Sequence, residues 1–263
     1  MAFHASNVTN SLLRLLILLF TSIAFTVAVS AQQSQPGSDL DPEFVEKVRE
    51  VLLTNPEILE EAFNALQEKR MTEANAARGA AIADNRELIF DSENQVVLGN
   101  PDGDVTLVEF FDYNCGFCRR AVADMLQLLE TDPNLRIVIK EFPILGPGSL
   151  EAARVAYAVN RVAPERYLDF HLAIMDAPGQ ADHTVALTAV KDIGLPVDEI
   201  EALSAPEEAD LALQEVQAIG QVLQISGTPA YVIGNEVIEG AVGLASLREK
   251  IEAMRLCGET ECS

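Results

Sequence analysis

Cys115-Gly116-Phe117-Cys118 is the part of this 263-residue chain best equipped for chemistry. The pair follows a near-continuous apolar run at 105–111 and opens an amphipathic stretch at 115–130, so it stands where a buried strand gives way to a helix. The N-terminus of a helix presents unpaired N–H groups and the positive end of the helix dipole, and both stabilise a thiolate. Cys115 is then the attacking thiol and, in a disulfide, a good leaving group; Cys118 lies one turn on and can strike back at it. Arg119 and Arg120 add positive charge beside the pair. The chemistry this permits is transfer of a disulfide through a mixed disulfide. Three other uses compete. A structural zinc site takes four ligands, yet Cys257, Cys262, His171 and His183 are all distant in sequence. Covalent haem takes a histidine directly after the second cysteine, where Arg119 stands. A purely structural disulfide fits the spacing but leaves the strand-to-helix position without a purpose.

The elements around the pair follow from periodicity. Strand 105–111, helix 115–130 with Val122, Met125, Leu126 and Leu129 facing inward, and strand 135–142 form a βαβ unit with parallel strands. A break at Gly146-Pro147-Gly148 leads into an almost wholly helical stretch, 149–224. After Gly227-Thr228-Pro229, residues 230–239 form a hairpin turning at Gly234-Asn235, and a last helix covers about 244–256. Upstream, Asp41-Pro42 and Asn55-Pro56 are helix starts with a capping side chain and proline in the first turn. The first of these helices runs to about Leu53 with an apolar stripe of Phe44, Val45, Val48, Val51 and Leu52; the second meets no breaker until Gly79. Such a segment either docks on the main domain or self-associates.

Composition narrows the function. Against 18 Lys+Arg stand 41 Asp+Glu, a formal net charge of -23, which excludes the basic footprint of a nucleic-acid binder. Residues 1–31 have the apolar core and the small-residue cleavage pattern (Val29-Ser30-Ala31) of a secretory signal peptide, with a membrane anchor as the other use of that segment. Export places the cysteines where disulfides persist. There, Cys257 and Cys262 close a small C-terminal disulfide aided by Gly258; a second redox pair or a metal site are the other uses of that spacing. Glu109, an acid within an apolar strand, is costly to bury unpaired; Lys140 at the end of the neighbouring strand is its expected partner, and reaching solvent at the sheet edge is the other reading. His171 and His183 read as surface or capping residues.

The segment Val108-Glu-Phe-Phe-Asp-Tyr-Asn-Cys-Gly-Phe-Cys118, the Gly227-Thr228-Pro229 loop before a hairpin, and Lys140-Glu-Phe-Pro-Ile-Leu-Gly146 together resemble the DsbA-like thioredoxin-fold proteins. With Asn55-Pro-Glu-Ile-Leu-Glu60, the chain over about 41–256 is most similar to the ScsC-type branch of periplasmic disulfide isomerases and oxidases. The resemblance implies an α/β thioredoxin fold in which a helical insertion at about 149–224 separates the βαβ half from the ββα half. It also implies a division into a signal at 1–31, an N-terminal helical segment and spacer at 32–90, and a catalytic domain at 91–263. Cys115 is then the nucleophile and Cys118 the buried resolving thiol. Pro229 is cis against the sulfurs, and Thr228 pairs through its backbone with an extended substrate. Gly116 and Phe117 tune the thiolate and meet substrate, and Glu109 lies beneath Cys118 to help move its proton. Cys257 and Cys262 fall outside the family pattern.

The function so implied is a periplasmic protein disulfide oxidoreductase, in isomerase or reductase mode, without cofactor or metal. Its partners are unfolded or misoxidised proteins and a redox protein that resets the pair, with a homo-oligomer formed through 41–75. A DsbA-like dithiol oxidase and a thioredoxin-fold copper(I) chaperone are the competing functions, the second because paired thiolates are soft ligands.

Overall fold

The computed structural model describes residues 41–262; the signal segment lies outside the described residues. Internal contacts divide the chain between Ala62 and Phe63. In the shorter part, helix α1 (Pro42–Thr54) starts as its sequence requires, with the Asp41 carboxylate accepting the Glu43 N–H at 2.9 Å and Pro42 in the first turn. None of its residues is buried, and Phe44 keeps 56% of its surface exposed. Helix α2 (Glu57–Asp84) begins in this part and continues into the larger one. It runs straight through Gly79, because one mid-helix glycine costs only about 1 kcal/mol and the flanking alanines are strong helix formers.

The larger part is built on a five-stranded sheet in the order β1-β3-β2-β4-β5. Its strands are β1 (Val96–Gly99), β2 (Val105–Phe111), β3 (Leu135–Glu141), β4 (Ala230–Ile233) and β5 (Glu236–Glu239). Only β2 and β3 pair in parallel, joined by helix α4 (Gly116–Thr131); β1, β4 and β5 are antiparallel to their neighbours. This is the thioredoxin arrangement that the resemblance implied. Strand β1 extends the sheet beyond β3, and short helix α3 (Arg86–Phe90) packs Ile89 and Phe90 against Val108, Phe110 and Val138; neither element is read from the sequence. The insertion consists of α5 (Pro147–Val162), a 3-10 turn (Pro164–Arg166), α6 (Tyr167–Asp176), α7 (His183–Asp192), α8 (Val197–Leu203) and α9 (Pro206–Val222). Helix α10 (Leu244–Cys257) follows the hairpin.

Alternation along the strands splits the core between two faces. Leu107, Phe111, Ile137, Ile139, Tyr231 and Ile233 pack with Cys115, Cys118 and the insertion helices. Val108, Phe110, Val138, Ala230 and Val232 pack with Ile89, Phe90, Ile82 and α9. Covered on both faces, β2 is buried almost end to end, which is why its sequence is a continuous apolar run. On α4 the inward residues are Cys118, Ala121, Met125 and Leu128, with Val122 and Leu129 at the margin. Leu126, expected inside, is exposed, because it lies a full helical step away from the Met125–Leu128 stripe. Helix α9 approaches the end of β3 so closely that a Cβ at Gly220 would fall 2.5 Å from the Phe142 ring.

Candidate active site

Cys115 is the N-cap of α4 in an extended conformation (φ -81°, ψ 113°), and no side chain caps the helix. The first-turn N–H groups are therefore free to face the sulfur. Both Cys115 and Cys118 are free thiols; Cys118 is 1% exposed. Burial pushes the Cys115 thiol up, but hydrogen bonds from Thr228, from the backbone and thiol of Cys118 and from the Phe117 N–H outweigh it and hold the thiol below its ordinary value. Burial drives Cys118 far the other way. Two chemically identical groups one turn apart thus have opposite tendencies, and only the first is poised as a thiolate. Arg119 and Arg120 contribute less than expected. The Arg119 guanidinium donates to the carbonyls of Tyr113 (3.1 Å), Ala177 (2.6 Å) and Gly179 (3.3 Å), and Arg120 lies over the Phe117 ring at 4.4 Å.

The loop before β4 closes the site from the other side. The Thr228–Pro229 peptide is cis, Pro229 is buried, and the Cys115 thiol donates to the Thr228 carbonyl at 3.1 Å. The Thr228 hydroxyl is buried and bonds to no other group, so its proton is free to turn to Cys115 when the thiol ionises. Phe117 stands out into solvent with 57% of its surface exposed, and Gly116 is exposed beside it.

Glu109 is buried, but Lys140 is not its partner. In the parallel register Lys140 lies opposite Phe110 and Glu109 opposite Ile139, so the two side chains leave opposite faces of the sheet. Lys140 donates instead to the Leu88 carbonyl (2.8 Å) and to Gln95 Oε1 (3.1 Å). Glu109 faces the cysteine side beside Tyr231, within electrostatic reach of Cys118, and has no ion pair among the described residues. Burial, helped by Asp124, pushes its carboxyl up to about 8. A carboxyl at about 8 when folded and 4.5 when unfolded is protonated longer in the native state. Stability is therefore full below about pH 4.5 and is lost progressively towards pH 8. Glu109→Gln is expected to flatten this slope and to raise unfolding free energy at pH 8 by a few kcal/mol (an order of magnitude from ~1.4 kcal/mol per pK unit), measured by denaturant titration at pH 5 and pH 8.

Other residues of the site carry no signal in the spacing that marks the cysteines. Asp112 is 2% exposed and accepts four hydrogen bonds. Oδ1 takes Asn114 N–H (2.8 Å) and Ser149 Oγ (2.7 Å), and Oδ2 takes the N–H groups of Ile144 (2.9 Å) and Leu145 (3.0 Å). The Asn114 amide pairs with both backbone groups of Ala181, at 2.7 and 2.9 Å. The turn that aims Cys115 is thereby tied to the end of β3, to the start of α5 and to the loop before α7. Behind it, Glu141 accepts from Tyr113 (3.1 Å) and Tyr167, and burial pushes its carboxyl up to about 8. His171, expected on the surface, is 3% exposed, because α6 packs it against the rings of Phe111, Tyr113 and Tyr167; burial lowers it to about 3. His183 remains part-exposed in the first turn of α7.

Cys257 and Cys262 form a disulfide with Cα atoms 6.1 Å apart. Gly258 between them takes the left-handed conformation (φ 77°) that ends α10. Among the described residues no cluster of His, Cys, Asp and Glu has the arrangement of a metal site, and no helix is long and apolar enough to cross a membrane.

Known proteins match this architecture in both parts. The DSBA-like thioredoxin domain matches residues 106–252, and the N-terminal domain of copper resistance protein ScsC matches 43–71. A thioredoxin-like oxidoreductase of Silicibacter pomeroyi DSS-3 is 39% identical, with a TM-score of 0.63 over 66% of this chain and 99% of that one. Proteus mirabilis ScsC in a transitional conformation is 30% identical, with a TM-score of 0.59 over 78% of this chain and 92% of its own. Disulfide bond formation protein D of Bacillus subtilis (strain 168) is 24% identical over 170 residues, 61% of this chain and 77% of that protein. A paired-thiol helix N-terminus facing a Thr-Pro loop, on a sheet shared with these proteins, places the chain in the DsbA-like thioredoxin-domain family of thiol–disulfide oxidoreductases, with the N-terminal domain of the ScsC type.

Proposed function

We propose that this protein is an exported, oligomeric disulfide isomerase or reductase that acts through Cys115 and Cys118. The observation that carries the redox role is the opposed tendency of the two thiols at the α4 N-terminus. The Cys115 thiolate attacks one sulfur of a substrate disulfide. A bond forms between Cys115 Sγ and that sulfur, and the other substrate sulfur leaves as a thiolate. In isomerisation that thiolate attacks elsewhere in the substrate and Cys115 is finally released. In reduction Cys118 loses its proton, attacks Cys115 Sγ and expels the substrate thiolate, leaving the Cys115–Cys118 disulfide for a redox partner to reset. Glu109, on the Cys118 side of the sheet with its carboxyl raised to about 8, is the group proposed to take that proton in its ionised form. The Thr228 backbone beside Cys115 receives an extended substrate segment by strand pairing, and exposed Phe117 gives it an apolar contact.

The isomerase mode rests on the N-terminal helices. Phe44, Val48, Val51, Leu59, Phe63 and Leu66 are all exposed along α1 and α2, an apolar surface larger than scattered single residues explain. A second copy of the chain is the proposed cover, and an assembly with several active sites can hold a misfolded substrate between attacks. Phe44→Glu with Val48→Glu is expected to reduce the solution mass to that of a monomer by light scattering. The same variant should lose most reactivation of a scrambled multi-disulfide substrate in mild thiol buffer while keeping oxidation of a reduced one. Rapid oxidation with no Cys115-dependent reactivation by the wild type would instead make it a DsbA-like oxidase.

A further inference from the structure

Arg78 lies on the stretch of α2 that belongs to the larger part of the chain, far from the cysteines in sequence. Its side chain is 18% exposed. The guanidinium donates through Nη2 to the Gln224 carbonyl at 3.2 Å and forms a short ion pair with the Glu239 carboxylate. Gln224 opens the loop that carries Thr228, and Glu239 lies on β5 across from the residue that closes it. Gln224 leaves α9 in a left-handed conformation (φ 55°) and leads directly into residues 225–229. Glu239 is the register partner of Ala230, the residue after Pro229, and the N–H of Gly240, just past the end of β5, donates to the Pro229 carbonyl at 2.9 Å. The helix is seated where this contact requires. Gly79 would bring a Cβ within 3.4 Å of the Asn235 carbonyl at the hairpin turn, and Ile82 is buried at 2% exposure. Arg78 Nε is buried without a partner, so the side chain forgoes a hydrogen bond to keep its hold on the loop.

We infer that Arg78 is a positioning residue for the Thr228–Pro229 loop, clasping its start and the strand across from its end so that the loop is set to receive an extended substrate segment. The guanidinium suits this task. Its Nη2 donates to a carbonyl and a carboxylate at once, and the planar guanidinium, less free to turn than a lysine ammonium, fixes the direction of both contacts. The inference deepens the proposed function and rests on the assignment of this loop to substrate pairing. A small thiol or disulfide needs only Cys115, whereas a peptide also needs the loop. Arg78 should therefore act on one substrate class and not on the other.

The test compares the full-length wild type with Arg78→Met, which keeps the aliphatic stem, and Glu239→Gln, which keeps the size. Two substrates are used: a fluorescent extended peptide disulfide, turned over with reduced glutathione as the electron donor, and oxidised dithiothreitol, in single-turnover exchange with the reduced enzyme. For Arg78→Met, KM for the peptide is expected to rise about three- to tenfold, as for loss of one charge-assisted hydrogen bond, with kcat held within about twofold. Exchange with dithiothreitol is expected to be unchanged. Glu239→Gln should raise KM less, and the double variant should be no worse than Arg78→Met alone, because both remove one contact. An unchanged peptide KM in folded Arg78→Met would overturn the inference, as would an equal loss on both substrates, the pattern of general destabilisation. Should Arg78→Met fail to fold, Arg78→Gln is read against the same two outcomes. If the wild type shows no Cys115-dependent turnover of the peptide while exchanging with dithiothreitol, the loop has no substrate role and the inference falls with that reading.

Discussion

Replacing Cys115 by serine is expected to reduce disulfide exchange to the uncatalysed background, a loss of at least about a thousandfold, because a neutral hydroxyl neither attacks nor leaves as a thiolate does. Folding should be almost unaffected. The substitution is close to isosteric, and Cys115 takes part in no disulfide with Cys118 in the reduced protein. The corresponding change at Cys118 should behave differently. Cys118 is buried and its thiol is held far above its ordinary range, so it contributes nothing to the first attack. Cys118→Ala should keep the first step and lose the release step, and mixed disulfides should accumulate. Stopped-flow exchange with a peptide disulfide separates the two variants. Equal behaviour would contradict the division of labour drawn from their environments.

The second large effect concerns Asp112 and falls on stability as well as activity. Asp112→Ala leaves the N–H groups of Asn114, Ile144 and Leu145 and the Ser149 hydroxyl without their acceptor in a site that is 2% exposed. Each orphaned donor costs roughly 1 kcal/mol or more, so the expected loss is about 3–5 kcal/mol, near 10 °C in Tm for a chain of this size. The turn it anchors also aims Cys115, whose own N–H donates to the Asp112 carbonyl at 3.0 Å. Asp112→Asn offers a milder probe. It keeps the shape but puts a donor where two donors already point, and by removing a nearby negative charge it should lower the Cys115 thiol pKa while costing less stability. A thermal melt with a thiolate titration checks both arms; full stability in Asp112→Ala would show that the four contacts are replaceable.

Much of the site was legible because it is local. A buried run, a cysteine pair and an amphipathic stretch in succession imply thiols at a helix N-terminus, and Gly234-Asn235 between two apolar segments implies the hairpin that presents Thr228 and Pro229. What escaped depends on long-range geometry. Whether Glu109 faces Lys140 turns on a register in which Lys140 sits opposite Phe110, and neighbours in a parallel pair one step out of register leave opposite faces. Asp112 lies within an obvious motif, yet its partners at 144, 145 and 149 are brought to it only when the end of β3 and the start of α5 fold over the turn. His171 gives no sign of burial because its neighbours Phe111 and Tyr113 come from another element. Strand β1 is four residues long and ends at a glycine, too short for alternation to distinguish it from a loop.

The most direct test of the central claim, that Cys115 is the attacking thiolate, is to trap the covalent intermediate. Full-length Cys118→Ala is mixed with a peptide disulfide at neutral pH, quenched with acid and digested for mass spectrometry. The account predicts a mixed disulfide on the peptide that contains Cys115, with the Cys257–Cys262 bridge intact. Attachment at Cys257 or Cys262, or no adduct while the wild type still exchanges disulfides, would contradict it.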